Sequence, residues 1–194
     1  MNSVEQPSFD ARIKVHDLYL IILWDTSFFK PRPEDKRICG KRVAEGLFSV
    51  EAYASNARPE HRLARALAEA IRPELSVHIK AVEDTLKGFL SEVSSELEDP
   101  LVKAVDVTLP ERPEYTFTID KGKGAPLVNS FIRLFVLADH ITSSLKELNF
   151  RGVITIKEAK KREDTYTKPL RKLMNDLNII VKNYHKQRKE LTNR

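Results

Sequence analysis

The fold class turns on residues 105–120: Val105-Asp-Val-Thr-Leu109, a Pro-Glu-Arg-Pro turn at 110–113, then Tyr115-Thr-Phe-Thr-Ile-Asp120. Val105, Val107 and Leu109 alternate with Asp106 and Thr108. Tyr115, Phe117 and Ile119 alternate with Thr116, Thr118 and Asp120. A strand sends successive side chains to opposite faces, so this period of two predicts two strands, each apolar on one side and short and polar on the other. The two strands would pair as a hairpin that covers a helical core, or each would pair across a dimer.

Outward from there the period becomes helical. Lys121-Gly-Lys-Gly124 leaves the second strand through flexible backbone, and Pro126 is well placed at the start of a helix. Leu127, Phe131, Leu134, Phe135, Ala138, Ile141, Leu145 and Leu148 form its buried stripe, and Gly152 closes it. Thr155 is the expected N-cap of a last helix, with Glu158 completing a capping box. Pro169 starts a new segment or kinks this helix, while Leu173, Leu177, Ile180 and Tyr184 keep one face apolar. Residues 186–194 have no core pattern and read as a mobile basic tail behind one domain, 1–185.

Toward the N-terminus, Asp99-Pro100 ends the cleanest stripe: Leu75, Ile79, Val82, Leu86, Phe89, Val93 and Leu97. Three heptads suit packing within the chain better than a long coiled coil. Pro73 breaks or kinks the path from a preceding helix carrying Leu63, Leu67 and Ile71. Val43, Leu47, Val50 and Ala54 mark a helix over 41–55, and Pro31 and Pro33 a loop. Ile13 and Val15 alternate as in a short strand, and the run Leu18–Trp24 reads equally as buried strand or helix. The expected architecture is α+β and mostly helical: a helical body with a small β ribbon.

A chain of 194 residues with 41% apolar and 31% charged residues can bury a real core. Cys39 is its only cysteine, which rules out an internal disulfide and fits a reducing, cytoplasmic setting. Met1–Asp10 shows no positive segment leading into an apolar one, so no secretory signal is expected. The most apolar run spans seven residues, where a membrane helix needs about 20. Net charge is +5, but residues 151–194 carry 13 basic against five acidic residues, leaving residues 1–150 net acidic. That asymmetry points to a polyanion for the basic part, or to a solvated helix face.

Catalytic patterns are lacking. Lys121-Gly-Lys-Gly-Ala has neither the spacing nor the terminal Lys-Ser/Thr of a phosphate loop. His16, His61, His78, His140 and His185 are scattered and form no metal motif. Asp139 and His140 are adjacent on a helix and point about 100° apart, so they do not converge on a substrate. Cys39 beside Arg37 and Lys41 is better read as a buried, inert thiol. No enzyme, cofactor or small-molecule substrate is expected.

What remains is the order strand, helix, helix over about 114–178, which is that of a ribbon-helix-helix unit. There two strands, one from each protomer of a dimer, enter the major groove of double-stranded DNA and offer alternate side chains to base edges. Thr116 and Thr118 suit direct readout. Lys121 and Lys123 in the loop, and Lys157, Lys160 and Lys161 on the last helix, suit phosphate contacts near a helix N-terminus. Arg12 and Lys14 flank the N-terminal strand and offer a second reading surface should the 115–119 strand be structural only.

Ile13-Lys-Val-His, Ile38-Cys-Gly-Lys-Arg, the Leu47-Phe48 helix, the long amphipathic helix, the Val-rich strand at 105–109, the aromatic strand at Tyr115–Ile119 and a leucine-rich helix containing Ala138-Asp-His follow one another here. In this order the sequence resembles the AcaB-like regulators of conjugative plasmids and the related proteins of integrating conjugative elements, over roughly residues 12–178. The resemblance implies a homodimeric activator that binds promoter DNA through a ribbon-helix-helix element and controls conjugation genes. It carries over Thr116, Thr118 and the neighbouring lysines as DNA contacts. The turn between the two helices, Asn149-Phe-Arg-Gly152, departs from the serine- or glycine-rich turn of that family. The rival reading is an adaptor of the conjugation machinery that binds a protein partner through its helical faces.

Overall fold

The structure is a computed structural model and describes residues 11–29, 37–119 and 123–192. In chain order the elements are β1 (Ala11–Val15), α1 (Leu18–Trp24), α2 (Gly40–Ala54), a 3-10 turn at Pro59–His61, α3 (Arg62–Leu97), α4 (Pro100–Lys103), β2 (Tyr115–Ile119), α5 (Pro126–Phe150) and α6 (Ile156–Thr192). The protein is α+β and mostly helical. The loop expected at Pro31 and Pro33 lies outside the described residues, as do Lys121 and Gly122.

Helices α2, α3, α5 and α6 each pack against the other three. The α3 stripe does what its spacing predicts: Leu75, Ile79, Leu86 and Val93 are buried, with Val82, Phe89 and Leu97 packed beside them. The helix does not break at Pro73, however, but runs through it. An unbroken helix carries the phase of Leu75 back seven and eleven residues, to Ala68 and Ala64. Those alanines are buried, whereas Leu63, expected in the core, is 59% exposed. Pro169 likewise lies within a continuous α6, where Tyr166, Leu170, Leu173, Leu177 and Tyr184 are buried on either side of it. A mid-helix proline costs about 3 kcal/mol. Burying each large side chain returns about 1.5–3 kcal/mol, so packing outweighs the proline.

The segment expected as a tail beyond Lys186 is helical as far as Thr192. Arg188 holds it, stacking its guanidinium 4.3 Å from the centre of the Tyr53 ring and hydrogen-bonding the Tyr53 hydroxyl.

The β prediction holds for one strand of the two. Tyr115–Ile119 is β2, but Val105–Leu109 forms no ladder among the described residues. That segment is irregular chain held near α5 by bonds around it: Arg151 donates to the carbonyls of Val102 and Val105, and Arg112 to that of Ser143. Alternation there reflects one half-buried side at Val107 and Leu109, not a sheet. The strand that pairs with β2 is β1 of the same chain. The pairing is antiparallel and sets Ala11 opposite Ile119, Arg12 opposite Thr118, Ile13 opposite Phe117, Lys14 opposite Thr116 and Val15 opposite Tyr115.

The odd-numbered side of this ribbon faces the helices. Phe117 stacks on Trp24 at 4.2 Å between ring centres, and Trp24 meets the Phe135 ring edge-on at 5.2 Å. Val15 and Ile119 are buried with them. Such aromatic pairs add about 0.5–1.5 kcal/mol each beyond the area they bury. They bind a two-stranded sheet that would be marginal alone.

Candidate nucleic-acid interface

Ribbon and helices meet at a buried carboxylate. Asp139, in the middle of α5 and 3% exposed, accepts the backbone N–H groups of His16 (2.7 Å) and Asp17 (3.1 Å) on Oδ1. Its Oδ2 lies 2.8 Å from His16 Nδ1. Asp17 in turn caps α1, accepting from the N–H groups of Tyr19 and Leu20, and Lys146 reaches its other oxygen at 3.1 Å. The carboxylate therefore fixes the point where β1 gives way to α1. Asp139 and the exposed His140 form no dyad; the histidine partner of Asp139 is 123 residues away.

With its inner side held, the ribbon presents its even-numbered side chains outward. Thr116 and Thr118 are exposed, and so are Arg12 and Lys14 across from them. Lys14 pairs with Glu114 at 2.9 Å. Thr118 and Lys123 line one cleft beside the ribbon, together with Lys41, Glu45 and Trp24. Lys121 lies outside the described residues.

The other candidate lysines form a separate group. Lys157, Lys160 and Lys161 share a shallow exposed groove on α6 with Asp164, Thr165 and Lys168. The N–H of Glu158 donates to Thr155 Oγ1 at 3.1 Å, as the capping box requires. The reciprocal half is not made, because the Glu158 carboxylate pairs with Arg162 instead. Further along the helix Lys168, Lys172, Lys182 and Lys186 are also exposed. Taken at 3.6 residues per turn they continue the line of Lys157 and Lys161 on the side opposite Tyr166 and Leu170, a basic stripe of roughly 44 Å.

No hydrogen bond, ion pair or shared cleft among the described residues joins these lysines to the ribbon. What links them is α6 itself, which passes near Asp17 and Tyr19, where β1 gives way to α1. There burial and the neighbouring Asp17 charge raise the Glu163 carboxyl above its ordinary range, while Lys146 and Lys160 oppose the shift.

Among the described residues no three histidine, cysteine or acidic side chains are grouped to hold a metal, and no helix is long and apolar enough to cross a membrane. Cys39 is buried at the start of α2.

No family model matches the sequence, and neither does any curated protein. The folded chain is nonetheless similar to a solved structure, that of selenomethionine-containing AcaB from uropathogenic E. coli. The two superpose with a TM-score of 0.65 at 20% identity, over 93% of this chain and 82% of the other. This chain has an AcaB-like fold. At that identity the likeness concerns the fold alone, with most side chains different. The AcaB-like resemblance read from the sequence thus extends to the fold.

Proposed function

We propose that this protein is a DNA-binding transcriptional regulator, an activator of conjugative transfer genes, that binds promoter DNA as a homodimer. One observation carries the reading. Thr116 and Thr118 stand exposed on a two-stranded ribbon whose alternate side chains are locked inward by Trp24 and Phe135. A ribbon of this width fits a major groove about 12 Å across, and short hydroxyl side chains meet base edges there. The order β2, α5, α6 is that of a ribbon-helix-helix-like element, with β1 paired along one edge of β2. Lys123, Lys157, Lys160 and Lys161, with Lys121, contribute contacts to phosphates that do not depend on sequence. In this reading the protein is cytoplasmic and not an enzyme, and it needs no cofactor.

The test compares a cognate duplex with a random one. Thr116→Ala with Thr118→Ala should each lose about 1–3 kcal/mol at the cognate site and little at the random one. Lys160→Ala with Lys161→Ala should weaken both, and should flatten the slope of log affinity against log salt by about 0.9 for each phosphate left unneutralised. A threonine double variant with the wild-type preference would make the strand structural only.

A second reading, an adaptor that binds a protein partner, is favoured by a different surface. Phe28 and Phe29 are 38% and 55% exposed and pack edge-to-face against each other and against Tyr115. If no duplex is bound, this aromatic cluster becomes the first surface to probe.

A further inference from the structure

We infer that β1 supplies the charge of the ribbon's outer face, and that Arg12 reads guanine in the duplex that this face enters. The inference rests on the DNA-binding reading above. It follows from the register, which sets Arg12 directly across from Thr118 and Lys14 directly across from Thr116. Opposed Cβ atoms in an antiparallel pair lie about 4.5–5.5 Å apart. The four side chains therefore form a compact patch two by two, with both hydroxyls from β2 and both cations from β1, and all four are exposed.

The cations differ in what surrounds them. Lys14 is paired with Glu114, the residue just before β2, so its charge is largely answered within the ribbon. Arg12 has no carboxylate or hydrogen-bond partner among the described residues. Its planar guanidinium carries five donors in a fixed fork, and the O6 and N7 acceptors of guanine match that fork in the major groove. Threonine offers one hydroxyl and one methyl, which meet a neighbouring base edge or a thymine methyl. Arg12 and Thr118 side by side thus present complementary chemistry to two adjacent base pairs. Because both strands belong to one chain, this reader is complete without a strand from a second copy.

A pool of random-sequence duplexes carried through repeated selection with the whole wild-type protein would supply the probe. The selected duplex and a scrambled version of it are then titrated with each variant. Arg12→Ala should reduce the preference for the selected duplex about 10- to 100-fold, and Arg12→Lys should not restore it, since an ammonium cannot make the paired contact. Lys14→Ala should change the preference far less. Replacing guanine by 7-deazaguanine, which lacks N7, should weaken the wild-type protein and leave Arg12→Ala unaffected. Unchanged melting temperatures would exclude loss of folding as the cause.

The inference is overturned if Arg12→Ala keeps both the wild-type preference and the sensitivity to 7-deazaguanine, or if the selected duplex contains no conserved guanine. In either case the DNA-binding reading stands, carried by the threonines. If the wild-type protein binds no duplex at low salt, that reading fails and the inference fails with it.

Discussion

Asp139→Ala removes an acceptor that serves three donors at once: the N–H groups of His16 and Asp17 and the His16 ring. The cost can be worked from the geometry. Asp17 is 6% exposed, so water reaches its N–H poorly once the carboxylate is gone. A buried donor left without a partner costs about 1–3 kcal/mol, and more when the lost acceptor was charged. Two backbone donors then give about 2–5 kcal/mol, with the half-exposed His16 ring adding little. For a chain of this length each kcal/mol moves Tm by about 2–4 °C, so the variant should melt about 4–20 °C lower. Asp139→Asn keeps an oxygen for both N–H groups and loses only the charge, so about 1 kcal/mol is expected. Thermal melts followed by circular dichroism, run on wild type and both variants at one pH, measure these differences. Equal losses below about 1 kcal/mol for alanine and asparagine would refute the reasoning, because water would then be replacing the carboxylate at no cost.

Glu163 and Gly40 set two further outcomes. Glu163 has its carboxyl raised by burial and by Asp17, so folding favours protonation more than the unfolded chain does, a contribution present at acid pH and lost as pH rises through the raised value. Glu163→Gln should therefore melt above wild type at neutral pH, with the gain gone below about pH 4; a gain that persists in acid would exclude this cause. Gly40 sits where a Cβ would lie 2.6 Å from Trp24 Cε3 and 2.8 Å from Phe135 Cζ. Gly40→Ala should lose about 1–3 kcal/mol by overpacking in urea denaturation. Gly88→Ala is the control: it is on the exposed side of α3 with nothing within 4 Å of the new methyl, and should gain about 0.5–1 kcal/mol.

The helical body was legible in the sequence because its signals are local. The α3 stripe, Pro126 at the start of α5, Gly152 at φ 73° after it and the Thr155 cap all act within a few residues. Neither Pro73 nor Pro169 breaks its helix, because the packing on either side of each outweighs its local cost. The pairing of β1 with β2 was hidden for the opposite reason: alternation shows that a segment is two-faced, not which strand lies beside it. Val105–Leu109 carries the same alternation and pairs with no strand among the described residues. Thr116 and Thr118 were legible as exposed positions from period two alone. Arg12 and Lys14 were visible as charges on a short strand, but their place across from the threonines needed the register. Asp139 carries a usable signal, though its partner lies far away in sequence. It falls beside Ala138 and four residues after Phe135, on the flank of an apolar stripe, and an acid there requires a partner from elsewhere in the fold.

The ribbon joins segments roughly 100 residues apart in the chain. At a synthesis rate of about 5–20 residues per second, β1 leaves the ribosome some 5–20 s before β2 exists to pair with it. Through that interval it is an unpaired strand with Ile13 and Val15 on one side, the kind of segment that adds to other chains. Arg12 and Lys14, alternating with them, place positive charge on such a strand and oppose its stacking with copies of itself. The same two cations thus guard the nascent chain before they occupy the finished ribbon, and replacing both by apolar residues would burden biosynthesis even where the mature fold tolerated it.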